Sequence, residues 1–144
     1  MRHLSVGILA VSFLCGTANA EADAAKEDLA SLQGGWQLIS LRVDGKALPK
    51  EEVKKTKLTF KGNKASHPGR NGKIEEGTFK LDPSKRPKAI DMISGGDKGK
   101  PLLGIYSIDG DSLKLCVAKL GVERPTEFKA GKDVVFMVLK REKP

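Results

Sequence analysis

The chain has 144 residues, of which 39% are hydrophobic and 31% charged, and its formal net charge is +8. This length fits one domain with its own core and excludes a large multidomain assembly. The positive charge favours anionic partners, although lysines scattered along the whole chain also fit plain solubility.

The first 20 residues are typical of a secretory signal peptide. A short basic start precedes the apolar run Leu4–Leu14, and Ala18 and Ala20 supply small residues where a signal peptidase cleaves. The apolar run is too short for a permanent membrane span. The sequence therefore predicts a signal peptide over 1–20, a single domain over 21–144, and an exported protein that is periplasmic or extracellular.

Two alternatives for this segment stay open. It could remain as an uncleaved membrane anchor, or Cys15 could carry a lipid. Leu14 argues against the lipoprotein, because such signals have a small residue before the cysteine. Cleavage after Ala20 would leave Cys116 as the single cysteine, so no internal disulfide could form.

The mature chain opens with a predicted helix over Glu21–Gln33. This stretch is rich in Ala and Leu and carries acidic residues in its first turn, and Gly34 and Gly35 end it. A second helical segment of one or two turns is predicted over Pro49–Lys55.

Short β-prone runs separated by turn residues make up most of the remaining chain. Their number and spacing predict an antiparallel barrel or sandwich. The composition of His67–Lys73 predicts a loop. The predicted strands are Trp36–Val43, Lys57–Lys61, Lys64–Ser66, Ile74–Leu81, Pro87–Ser94, Leu102–Ile108, Leu113–Ala118, a short edge strand over Pro125–Lys129, and Asp133–Arg141.

The clearest local signal is the hairpin around Asp109-Gly110. An Asp-Gly pair between two β-prone runs favours a tight turn, because Gly accepts a positive φ. In the second run, Leu115 and Val117 alternate with Lys114 and Cys116. The pattern predicts that the leucine and valine face a core, and that Cys116 is a small packed side chain on the opposite face.

Several short motifs together resemble an uncharacterised family of small secreted domains expanded in Planctomycetes, over about Ala30 to Arg141. The resemblance implies a lipocalin-like barrel of seven to eight strands with a short N-terminal helix. It implies no activity. The motifs are Leu32-Gln33-Gly34-Gly35-Trp36, Val43-Asp44-Gly45-Lys46, Gly77-Thr78-Phe79-Lys80-Leu81-Asp82-Pro83 with Pro87-Lys88-Ala89-Ile90-Asp91, Gly104-Ile105-Tyr106 with Asp109-Gly110-Asp111, and Arg124-Pro125-Thr126-Glu127-Phe128.

Gly34-x-Trp36 is similar to the Gly-x-Trp motif of lipocalins, in which the tryptophan plugs one end of the barrel. An arginine near the end of the last strand stacks on it there. Arg141 ends the last predicted strand here, so we expect a structural cation–π contact between Trp36 and Arg141.

Two functions are compatible with such a barrel. The first is a non-catalytic binding domain for a small apolar or amphipathic ligand, held by interior side chains. The second is a filled barrel that docks a basic face, with Lys85, Arg86 and Lys88, on an anionic polymer or protein of the envelope. The interior residues expected to line the ligand are Phe60, Phe79, Met92, Ile105, Leu115 and Phe136.

The sequence gives little support for catalysis or for a cofactor. His67 is the only histidine after cleavage and lies beside no nucleophile motif, and with Cys116 it offers too few metal ligands. Aromatic residues are 5% of the chain, too few for a platform that stacks nucleic-acid bases. We therefore expect no enzyme activity, no cofactor and no nucleic-acid partner.

Overall fold

A closed antiparallel barrel forms the body of the protein. The computed structural model describes residues 16–69, 72–94 and 99–143, with side chains of the first helix described from Asp23 onward. The helices are α1 (Gly16–Leu32) and α2 (Lys50–Lys54). The strands are β1 (Gly34–Val43), β2 (Lys46–Ala47), β3 (Lys57–Lys61), β4 (Lys64–Pro68), β5 (Ile74–Asp82), β6 (Ala89–Ser94), β7 (Leu102–Asp109), β8 (Ser112–Ala118) and β9 (Val134–Arg141).

Within the described chain, eight strands follow one another around the barrel as β1-β3-β4-β5-β6-β7-β8-β9. Every neighbouring pair is antiparallel, and pairing of β1 with β9 closes the ring. The two-residue strand β2 extends β1 outside the ring. Closure leaves the ring without unpaired edges, so the architecture is a single barrel and not a sandwich. The predicted lipocalin-like all-β fold is confirmed.

The two ends of the barrel are built differently. At one end, called the closed end below, β1 starts, β9 finishes, and α1 leads directly into Gly34. At the other end, called the mouth, β4 and β6 finish, and β5 and β7 start. The short helix α2 predicted from Pro49–Lys55 is confirmed, and it buries Val53 in the core.

The predicted central hairpin is confirmed with a two-residue turn. Asp109 pairs with Ser112, and Gly110 has a φ of 59°. A second Asp-Gly turn joins β1 to β2, with φ values of 54° at Asp44 and 81° at Gly45. Two consecutive positive φ values match the type I′ turn, whose twist fits antiparallel strands.

Helix α1 begins earlier than predicted, at Gly16 instead of Glu21. Ala18 and Ala20 favour this backward extension, whereas Gly16, Thr17 and Asn19 have low helix propensity. The first 15 residues of the predicted signal peptide lie outside the described residues, so α1 overlaps only its end. Among the helices of the described part, none has the length and apolar character needed to cross a membrane.

One loop prediction and one strand prediction need correction. Strand β4 runs through His67 to Pro68, which pairs with Ile74. A proline fits at this strand end, where it need not donate a hydrogen bond. Pro125–Lys129, in contrast, is not a strand. The closed ring offers it no edge to pair with, and it belongs to a segment, residues 119–133, that lies against the outside of the barrel.

Candidate functional site

The closed end is plugged by Trp36, as the sequence predicts. The tryptophan is fully buried, and its Nε1 donates a hydrogen bond to the carbonyl of Leu32, at 2.8 Å. The Cζ atom of Arg141 lies 4.3 Å from the ring centre, so the predicted cation–π contact is confirmed. Arg141 also donates to the carbonyls of Ser31 and Gln33. The last strand therefore fixes the C-terminal end of α1 to the barrel.

A second anchor joins α1 to the barrel interior through Asp28. Its Oδ2 accepts a hydrogen bond from the hydroxyl of Tyr106 at 2.7 Å and another from Nζ of Lys88 at 3.0 Å. Tyr106 is almost fully buried on β7. Burial, together with the neighbouring carboxylate of Asp28, raises the pKa of Tyr106 above its ordinary range. The anchor keeps the tyrosine a neutral donor.

Three of the six residues predicted to line the interior fill it. Phe60, Phe79 and Leu115 are buried members of the main core. The rings of Phe60 and Phe79 meet edge to face, with centres 5.4 Å apart. Met92 is partly buried and packs against the same core. These contacts leave the middle of the barrel occupied by its own side chains.

The prediction that Ile105 and Phe136 face the interior is wrong. Each pairs in register with Cys116, and alternation puts Cys116 on the face opposite to the core residue Leu115. The strands that carry Ile105 and Phe136 are apolar on both faces. Their sequence therefore does not indicate which face points into the barrel. Ile105 and Cys116 are nonetheless buried, on the outer side of the sheet.

The segment 119–133 covers this outer apolar patch, and Arg124 fastens it. The guanidinium donates to the carbonyls of Ile90 and Gly104 and lies 2.6 Å from Oδ1 of Asp91. The Sγ of Cys116 lies 3.7 Å from the carbonyl of Lys129 in the same segment. The predicted packed role of Cys116 is confirmed. The role of Arg124 was missed, because a single loop arginine gives no sign of its partners.

The mouth contains a small cavity of about 140 Å³. At its rim, Nε2 of His67 lies 3.6 Å from Oε2 of Glu75, and both side chains are about half exposed. Ligand sites usually measure about 300 to 1,000 Å³, so this space suits only a very small molecule. Its apolar walls come from Leu58, Ala65, Met92 and Leu102.

A larger space, called the α1 groove below, lies where α1 passes β5 and β6. Its volume is about 550 Å³, within the usual range for ligand sites. Its walls combine one side of α1 with residues from both faces of β5 and with outer-face residues of β6. The apolar residues that line it are Ala25, Leu29, Phe79, Leu81, Ile93 and Pro101.

Polar groups in the α1 groove are few. Lys26 lines it from the helix, Lys80 and Thr78 line it from β5, and Asn63 lines it from the turn between β3 and β4. Asp91 also reaches it, but its carboxylate is bonded to Arg124. The sequence did not predict this groove, because its existence depends on where the helix lies against the sheet. The available signal was Ile93, an apolar residue on the outer face of its strand.

Comparison with known proteins gives no independent evidence about the site. No protein-family model, curated protein or solved structure matches this chain. Within the described residues, no group of three or more His, Cys, Asp or Glu side chains could hold a metal ion. The interpretation of the site therefore depends on its own geometry.

Proposed function

We propose that the protein is an exported, non-catalytic binding domain that holds a small apolar or amphipathic ligand in the α1 groove. The observation that carries the proposal is the groove itself: about 550 Å³ of mostly apolar space with a few polar groups. A concave apolar site of this size with few polar groups is the usual form of a ligand pocket.

The groove supports this function better than the barrel interior does. The side chains of Trp36, Phe60 and Leu115 are 0%, 1% and 0% exposed. The barrel interior toward the closed end is therefore already filled by side chains. A ligand there would have to displace close-packed side chains, at a cost of several kcal/mol or more. The mouth cavity is open but small.

Export is the part of the proposal that depends on the sequence alone. The basic start, apolar run and small residues of 1–20 support secretion to the periplasm or the outside. We also propose that the chain belongs to the small secreted family that its motifs resemble. A ligand would then be a molecule of the envelope or the surroundings.

A second candidate function is docking on an anionic envelope polymer or protein. The packed interior is compatible with it, and the connection from β5 to β6 carries Lys85 and Arg86. Lys88 follows them but pairs with Asp28. Under this alternative, binding to an anionic resin falls steeply with added salt.

Native mass spectrometry of the protein purified gently from an envelope fraction tests the ligand proposal. We expect a mass excess over the polypeptide that disappears on denaturation. The Ile93→Ser variant should lose the excess, because it removes an apolar wall of the groove. Ile39→Ser is the matched control, since Ile39 is 53% exposed on β1. No excess in the folded protein, or an excess that Ile93→Ser leaves intact, would contradict the proposal.

A further inference from the structure

Resting on the proposed function, we infer that the ligand of the α1 groove is a free, single-chain amphiphile with an anionic head group. The head group lies between Lys26 and Lys80, and the apolar chain lies along Leu29 and Ile93. The inference adds the sign of the ligand charge and its orientation, and it excludes neutral and cationic ligands as preferred occupants.

The first step is the charge of the groove. Lys26 belongs to the helix wall and Lys80 to the strand wall, and both are exposed. Neither makes an ion pair with another residue in the described part of the chain. The one acidic residue of the lining, Asp91, has Arg124 at 2.6 Å. The groove therefore offers two ammonium groups and one neutralised carboxylate, which favours an anion.

The second step is the apolar lining. Alternation along β5 and β6 puts Lys80 and Ile93 on the outer face, because their neighbours Phe79 and Met92 pack in the core. Leu29 lines the same space from the helix, next to the core on which it packs. An ion without an apolar part would gain nothing from this surface, whereas a hydrocarbon chain is stabilised by every part of its surface that it buries there.

The third step is the shape of the site. The groove has a helix on one side and a sheet on the other, and its volume of about 550 Å³ suits one short chain. A lipid in a bilayer would have to leave the membrane to enter it. The geometry therefore points to a monomeric amphiphile instead of a membrane surface.

Isothermal titration calorimetry with decanoate and with decanamide, both kept below the concentration at which they form micelles, tests the inference. The two probes share a chain and differ in head-group charge. Two solvent-exposed charge pairs give decanoate an advantage of about fivefold in affinity. The double variant Lys26→Gln/Lys80→Gln should remove the advantage, so that the two probes bind with equal affinity.

The matched control is Lys114→Gln, an exposed lysine on β8 outside the groove, which should behave as wild type. Equal affinity of the two probes for the wild type, with both weakened by Ile93→Ser, would overturn the anionic inference and keep the proposed function. Failure of both probes to bind would overturn both. Binding to anionic vesicles without binding to monomeric decanoate would overturn the free amphiphile and favour surface docking.

Discussion

The closed end and the mouth of the same barrel differ in how tightly their interior is packed. At the closed end, Trp36 and Tyr106 are almost fully buried, and both are bonded to α1. At the mouth, His67 and Glu75 are half exposed beside a small cavity. The closed end is therefore fixed by its contacts with α1, and the same helix provides one wall of the α1 groove.

The largest expected effect is on stability at the closed end. Trp36→Ala should lower the free energy of unfolding by about 3–5 kcal/mol, because it removes a buried ring and leaves a cavity. Met92→Ala at the mouth should cost about 2 kcal/mol or less, since Met92 already borders a cavity. Urea unfolding of the two variants checks this. Equal losses would contradict the contrast between the ends.

The anchor at Asp28 should have the next largest effect. Asp28→Asn removes the ion pair with Lys88 and weakens the acceptor for Tyr106, so we expect a loss of about 1–2 kcal/mol. Glu75→Gln is the control at the mouth, where an exposed pair should contribute about 0.5 kcal/mol or less. Thermal unfolding of both variants measures the difference. A loss of stability from Glu75→Gln as large as that from Asp28→Asn would contradict a larger contribution of the anchor to stability.

Alkaline titration can sharpen the same contrast, because Tyr106 is the only tyrosine of the chain. Its raised pKa means that the folded state keeps it neutral, whereas the unfolded chain ionises it near pH ~10. Stability from this group is therefore complete below that pH and is lost as pH rises above it. We expect tyrosinate absorbance to appear only with unfolding. Tyrosinate forming near that pH in the folded protein would contradict the buried anchor.

The smallest expected effect concerns the outer patch. Burial raises the pKa of the Cys116 thiol, so labelling by a thiol reagent should be slow until the segment 119–133 opens. Arg124→Ala, which removes the fastening hydrogen bonds, should speed labelling by about tenfold. Asp28→Asn should leave the labelling rate unchanged. Equal acceleration by both variants would mean that Cys116 is exposed by global unfolding alone.

The fold could be predicted from the sequence because its signals are local. The Asp-Gly turns and the alternation around Leu115 are short patterns that the structure confirms. The Trp36–Arg141 contact is long-range, and the resemblance to the lipocalin motif implied it. Strands apolar on both faces, such as those of Ile105 and Phe136, lack alternation, so only strand register shows which face is inside.

The candidate site could not be predicted in the same way. The α1 groove depends on the angle at which a helix lies against the sheet, which no spacing in the sequence reports. Asp28 and Tyr106 are distant in sequence and meet only after the barrel has closed. Arg124 likewise donates to backbone carbonyls of two strands. Every residue has a backbone carbonyl, so the sequence does not indicate which ones accept these bonds.

Nuclear magnetic resonance titration of the isotope-labelled protein with decanoate tests ligand binding in the α1 groove most directly. The account predicts that backbone amide shifts concentrate at Leu29, Lys80 and Ile93, on both walls of the groove. Shifts concentrated instead at Ala65 and Leu102, which line the mouth cavity, would contradict it and return the ligand to the barrel interior.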